Sequence, residues 1–314
     1  MQLFQKPFPQ KKIDQIASIL KNWWLVAFPT ETVYWLWANA LDEDACKKIF
    51  TAKWRPSDNP LIIHIAKKED FKTYASHLSK EAKILIDTFC PGPLTLILKK
   101  NNTIGPVVSW RLNTVAIRFP SHTLAQKIIG TCNFPIAAPS ANTSWKPSPT
   151  ISKNVQDDLE GKIDALVEWW DTKHGLESTV VDVTCSPPVI LRHWSITKEM
   201  LQKILPNIID ESSIEQKKRS PWTRYKHYAP ETPVEIIKKW WYLENNNSAF
   251  IGIHISWWKY TFSFSSKQKL AKGLYTTLRH CDTLWIEKIY IEEVDEAWLW
   301  KALMNRIRKA AWVI

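Results

Sequence analysis

The chain is poor in glycine: it has 7 in 314 residues, where ordinary usage of about 7% would give roughly 22. Cysteine is also sparse. Cys46, Cys90, Cys132, Cys185 and Cys281 are odd in number, scattered, and form no CxxC pair. That argues against a disulfide framework and against a zinc site, and it fits a reducing compartment. No apolar run approaches 18 residues, and the opening MQLFQKPFPQKK has no apolar signal core. A soluble, cytoplasmic protein without a membrane partner is expected. Internal repeats and low-complexity tracts are likewise missing.

In place of glycine there is tryptophan, 19 residues of it, doubled in turn-like contexts at Trp23-Trp24, Trp169-Trp170, Trp240-Trp241 and Trp257-Trp258. The length suits one large or two ordinary domains, and 45% hydrophobic content is enough for a sizeable core. The formal charge of +11 favours acidic partners such as nucleotides or RNA, or else marks a basic surface with no partner.

Residues 28 to 65 concentrate the chemistry. Val26-Ala27-Phe28 leads in and Leu61 to Ile65 leads out, both reading as buried strands. Between them come Thr30, Glu31 and Thr32, then a helix with Asp42 as N-cap and Ala45, Ile49 and Ala52 on one face, then Lys53, Arg55, Ser57, Asp58 and Asn59. A lysine and an arginine two residues apart suit an anionic ligand, one as a point charge and the other as a planar fork. For the bare pair taken alone, a solvated loop is the commoner explanation.

The words FPTETVYWLWANA and KWRPSDNPL resemble the opening of the YrdC/Sua5 family, the threonylcarbamoyl-AMP synthases. Trp35, Trp37 and Trp54 stand where that pattern has glycine. The expectation is that many of these tryptophans are glycine in the living protein, through a UGA codon that the source organism reads as glycine. Glycine permits positive φ and close approach of backbone to ligand, which an indole forbids, so crowding is expected at the site.

The resemblance continues along the chain. A helix over 10 to 22 carries Ile13, Ile16, Ala17 and Leu20 inward; Ser79 caps a helix over 80 to 89; FCPGPLTLIL supplies a helix stop and a core strand. The strand 114 to 118 ends in Arg118, which either snorkels to solvent or faces a pocket. PIAAPSANTSWKPSPT places Ser140 and Asn142 in a loop and completes, with Lys53 and Arg55, the KxR…SxN signature. EWWDTKHGLESTVVD carries Ser178, and the strand 189 to 192 ends in Arg192 before a helix over 197 to 205. Residues 207 to 232, polar, basic and proline-punctuated, read as a linker. They resemble the SPG-x-x-Y-x-HYAP segment that covers the nucleotide pocket in the longer Sua5 branch. From 233 a smaller α/β unit follows, and EAWLWKALMNRIRKAA resembles the end of the Sua5 C-terminal domain.

The resemblance thus implies three parts: a YrdC-like synthase domain at 1–206, a covering linker at 207–232 and a Sua5-type domain at 233–314. It implies an α/β fold, a twisted open sheet with helices around a basic concave cavity, plus a smaller Rossmann-like unit. The implied reaction joins L-threonine, bicarbonate and ATP into threonylcarbamoyl-AMP and pyrophosphate. A separate transferase complex then modifies adenosine 37 of tRNAs reading ANN codons. Implied on the ATP side are Lys53, Arg55, Ser57, Asn59, Thr114, Ser140, Asn142, Ser148, Arg192 and Tyr225, with Lys53 and Arg55 catalytic. Implied for threonine are Thr30, His64, Arg118, Ala138 and Ser178. Mg²⁺ would be held mainly by ATP, with no protein metal site. Two other readings compete. One is a carbamoyl-adenylate enzyme of the hydrogenase-maturation kind, against which the missing zinc-finger and acylphosphatase segments speak. The other is a non-enzymatic RNA-binding module; tRNA or RNA contact stays open, and the basic face of Lys301, Arg306, Arg308 and Lys309 reads as either RNA-binding or solvated.

Overall fold

The alternation of apolar residues builds two sheets. The computed structural model describes residues 1–169, 172–210, 228–238, 247–254, 258–295 and 300–311. After β1 (Gln2–Phe4), helix α1 (Gln10–Lys21) buries Ile13, Ile16, Ala17 and Leu20, as its spacing predicts. The wholly buried β2 (Val26–Pro29) then turns at Glu31-Thr32, where Thr30 Oγ1 accepts the Thr32 N–H at 3.3 Å. The chain returns as β3 (Tyr34–Asn39), antiparallel to β2. The sequence reading misses β3 because nearly every side chain of YWLWAN is buried, so the alternation of a half-exposed strand is absent.

Helix α2 (Glu43–Lys53) starts where expected, with the Asp42 carboxylate accepting the Ala45 N–H at 2.8 Å. Next come β4 (Ile62–His64), α3 (Asp70–Tyr74), α4 (Lys80–Phe89) and β5 (Leu94–Lys99). They are followed by α5 (Pro106–Ser109), β6 (Thr114–Arg118), α6 (Thr123–Cys132), β7 (Ile136–Ala138) and α7 (Ser152–Leu159). The first unit closes with β8 (Ala165–Val167), β9 (Thr179–Asp182), β10 (Val189–Arg192), α8 (Lys198–Ile204) and β11 (Ile209–Asp210). The strands form one mixed sheet in the order β1-β8-β2-β3-β7-β4-β6-β5-β9-β10-β11. Successive residues of β3 enter opposite cores: Tyr34, Leu36 and Ala38 join one, Trp35 and Trp37 the other.

The second sheet is parallel throughout, in the order β12 (Val234–Ile237), β15 (Lys288–Glu292), β13 (Ser248–Gly252), β14 (Tyr260–Ser263). Helices α9 (Lys267–Cys281) and α10 (Trp300–Ala310) pack on it. This is the small α/β unit expected; β15 starts only at Lys288 because residues 282–285 form a turn after α9. Its core takes in Leu176, Trp194 and Tyr228 as well, so the two units share a packed boundary.

Among the described residues nine that are not glycine have positive φ, and five of them are tryptophans: Trp23, Trp54, Trp110, Trp145 and Trp285. Trp54 and Trp110 end α2 and α5 in the left-handed conformation, the position that glycine ordinarily fills. For an indole-bearing residue this backbone costs about 1–2 kcal/mol. The turns therefore have the geometry of glycine at sites where the sequence reads tryptophan.

Candidate active site

Several strand ends meet at one edge of the large sheet. His64 and Arg118 close the parallel strands β4 and β6 side by side. Thr95 opens β5 opposite Arg118, and Ser178 stands just before β9 on the other side of β5. The Arg118 guanidinium is fully buried. It donates from Nη2 to Glu31 Oε1 at 2.7 Å and to Thr30 Oγ1 at 3.2 Å. Its Nε and Nη1 are buried without a hydrogen-bond partner, as are Glu31 Oε2 and His64 Nε2. Burial pushes the Glu31 carboxyl up, but Arg118 outweighs it and holds the carboxyl below its ordinary value. Burial and the Arg118 charge pull His64 well below 6.5, so the ring is neutral. Ser178 Oγ and Thr95 Oγ1 share a hydrogen bond of 2.7 Å, and Arg192 donates to Ser178 Oγ at 3.0 Å and to its carbonyl at 2.8 Å. Ala138 ends β7, buried beside Ile62.

Beside this buried polar cluster opens a narrow cleft, lined among others by Lys53, Arg55, Asn59, Ser140, Asn142, Lys146, Ser148, Glu177, Arg192 and Tyr228. Lys53, the last residue of α2, is buried. It donates to the Ser140 carbonyl at 2.6 Å and, more closely, to that of Asn142. Burial, then Arg55, drives its pKa well below 10.5. The two halves of the KxR…SxN signature are thus brought together across the sheet. Ser140 donates to Asn142 Oδ1 at 2.5 Å, and the Asn142 amide is held by the Thr143 and Lys146 carbonyls at 2.9 Å each.

Two expected residues are not brought in. Thr114 lies at the opposite end of β6 from Arg118, about 13 Å along a strand rising about 3.3 Å per residue. Ser57 is exposed on the loop after α2 and does not line the cleft. Tyr225 lies outside the described residues. Conversely, Glu31, Thr95, Glu177 and Tyr228 belong to the site without having been chosen from sequence. Glu31 sits inside the PTET word and Tyr228 inside HYAP, so their signal was there to be read; Thr95 looks like any polar residue in an apolar strand.

Trp35 stands between the cluster and the cleft. Its indole N–H donates to Thr30 Oγ1 at 3.0 Å, the Arg118 guanidinium lies 5.2 Å from its ring, and it forms part of the cleft wall. Trp37 is fully buried behind it, 4.6 Å from His64, and donates to the Phe28 carbonyl at 3.0 Å. This is the crowding expected of indoles at glycine positions.

A mixed α/β sheet with a basic cleft at its strand ends, beside a buried arginine with unsatisfied donors, suits an anionic ligand next to a small carboxylate. A family model described as telomere recombination, the Sua5, YciO and YrdC proteins, matches residues 18–193. Another, described as the threonylcarbamoyl-AMP synthase C-terminal domain, matches residues 196–312. The threonylcarbamoyl-AMP synthase of Pyrococcus abyssi is 41% identical over 96% of this chain and 94% of its own. That of Bacillus subtilis is 40% identical over 96% and 93%. The crystal structure of P. abyssi Sua5 complexed with L-threonine superposes with a TM-score of 0.92, at 39% identity, over 99% of this chain and 97% of that one. The chain belongs to this family, the long Sua5-type threonylcarbamoyl-AMP synthases.

Proposed function

We propose that the protein is an L-threonylcarbamoyladenylate synthase, a nucleotidyltransferase that converts L-threonine, bicarbonate and ATP into threonylcarbamoyl-AMP and pyrophosphate. The observation that carries this reading is the union of the Lys53/Arg55 and Ser140/Asn142 cleft with a buried Arg118–Glu31 pair whose remaining polar atoms face no partner. A threonine carboxylate suits the free edge of Arg118, and the rest of that substrate suits Thr30, His64, Ala138 and Ser178. The triphosphate suits Lys53, Arg55, Asn59, Ser140 and Asn142, and the nucleoside suits Ser148 and Arg192.

In the reaction, the threonine amine and bicarbonate condense to a carbamate with loss of water; a carbamate oxygen then attacks the α-phosphorus, its P–O bond forms, and pyrophosphate leaves with the electron pair of the broken P–O bond. Charge grows on phosphoryl oxygens, so catalysis is positioning plus electrostatic stabilisation, and no covalent nucleophile is needed. Burial and Arg55 hold the Lys53 pKa down; a bound phosphate favours its charged form, which neutralises the developing charge. Among the described residues Glu177 is the one carboxylate in the lining, and it is already engaged by Ser148. That donor set fits Mg²⁺ carried in by ATP with its own waters, where it supplies charge neutralisation on the phosphates. The adenylate passes to a threonylcarbamoyl transferase acting on tRNA in the cytoplasm.

The test mixes protein, ATP, L-threonine and labelled bicarbonate and seeks, by mass spectrometry, an AMP adduct that needs both threonine and bicarbonate. Its appearance supports the reading. A product that requires carbamoyl phosphate instead would move the assignment to a carbamoyl-handling enzyme, and salt-sensitive RNA binding indifferent to ATP would favour the binding module.

A further inference from the structure

The nucleotide end of the cleft is held from behind by the second unit. Glu177, 3% exposed, accepts from Ser148 Oγ at 2.5 Å with one carboxylate oxygen. Its other oxygen accepts from the Tyr275 hydroxyl of α9 at 3.2 Å and lies 3.6 Å from Arg306 Nε of α10. Tyr275 and Arg306 are both fully buried. Arg306 also donates to the His193 carbonyl at 2.9 Å, next to Arg192 in the cleft wall. Tyr275 stacks on Tyr228 with ring centroids 5.2 Å apart, and Tyr228 lines the cleft. The boundary is anchored by Arg279 of α9, which pairs with Asp158 at 2.7 Å and donates to the Pro147 carbonyl at 2.6 Å, one residue before Ser148.

We infer that Arg306 and Tyr275 are positioning residues for the nucleoside part of ATP, acting through Glu177 on Ser148. A carboxylate buried this deeply needs a cation and hydrogen-bond donors facing it, and Arg306 and Tyr275 supply them. With Glu177 fixed, the Ser148 proton is committed to the carboxylate, and the hydroxyl meets the cleft as an acceptor. An acceptor suits ribose hydroxyls or the adenine amino group, and it disfavours a phosphate oxygen. Glu177 and Ser148 thus recognise the nucleoside, whereas Lys53 and Arg55 serve the phosphates. The role of the C-terminal unit is to set the hydrogen-bond polarity of one wall of the site.

This inference rests on the assignment of the cleft to ATP, and its test separates the two. Equilibrium affinities for ATP and for inorganic triphosphate are measured on the full-length protein. The variants are Tyr275→Phe, Arg306→Met, and the Glu177→Gln/Arg306→Met pair, which leaves no buried charge without its counterion. Tyr275→Phe keeps the ring stack and is the variant least prone to misfold. The expected result is ATP affinity about tenfold weaker in each variant, one charge-assisted hydrogen bond's worth, with triphosphate affinity unchanged. Equal weakening of both ligands marks a structural role and overturns the inference, as does unchanged ATP affinity in all three. A parent protein that binds ATP but yields no threonine adduct refutes the synthase reading while the ATP-to-triphosphate ratio still decides this one. A parent that binds no ATP overturns both.

Discussion

Replacing Trp35 and Trp37 by glycine opens the threonine side of the site, and its effects on affinity and on stability have opposite signs. The Trp35 indole occupies the space between Thr30, Arg118 and the cleft. With it gone, a carboxylate can reach the Arg118 Nε and Nη1 atoms that are otherwise buried without a partner. Two charge-assisted hydrogen bonds at about 1.5–3 kcal/mol each amount to about 3–6 kcal/mol, or roughly 10²- to 10⁴-fold in threonine affinity. Stability moves the other way, because removing a large aromatic side chain from a core costs about 3–5 kcal/mol apiece. The assay is equilibrium dialysis of labelled L-threonine against both forms, with urea unfolding to register the stability change and the adduct assay to register turnover. Equal threonine affinity in two folded forms would refute the steric argument. UGG codons at positions 35, 37 and 54 of the gene would refute the decoding argument.

Further outcomes are expected elsewhere. Changing Trp23, Trp54, Trp110, Trp145 and Trp285 to glycine relieves five left-handed residues. Net of the entropy glycine adds to the unfolded chain, urea unfolding should show a gain of about 0.5–1 kcal/mol at each; a loss would contradict the turn geometry. Lys53→Ala should lower adenylate formation by at least about 10²-fold with the far-ultraviolet circular dichroism unchanged, and near-normal turnover would refute its role. ATP binding should draw in a proton wherever the unliganded Lys53 is neutral, seen as a buffer-dependent enthalpy that Lys53→Met abolishes. Burial, opposed by Asp210 3.2 Å away, holds His193 at about 4. The unfolded chain therefore takes up a proton below about 6.5 that the folded chain refuses. Stability present above that pH is lost as pH falls towards 4, by up to about 3 kcal/mol, and His193→Asn should flatten that slope.

Much of this was legible in the sequence because the relevant signals are local. Asp42 and Ser79 cap the helices they were expected to cap, and β6 and β10 have the bounds their patterning indicates. Strand β3 was not legible, since burial on both faces erases the alternation that identifies a strand. The same holds for the site. Lys53, Arg55, Ser140 and Asn142 could be paired from their motif, whereas a motif says nothing about which end of a strand a residue occupies, and Thr114 lies at the end of β6 away from Arg118. Glu177 could not be separated from a surface charge until its partners on α9 and α10, about 100 residues downstream, were in view.

The strand order of the large sheet also governs how the protein can be made. Strand β1 has β8 as its neighbour, Gln2 lying opposite Ala165, and β2 likewise pairs with β8. At ribosomal rates of about 5–20 residues per second, the first strand waits roughly 10–30 s for that partner to be synthesised. During that interval Phe4, buried in the finished protein, has no edge to join, and β2 has only β3 beside it. The nascent chain is therefore a client for chaperones until residue 167 clears the ribosome, and expression at lower temperature or with added chaperone should raise the soluble yield.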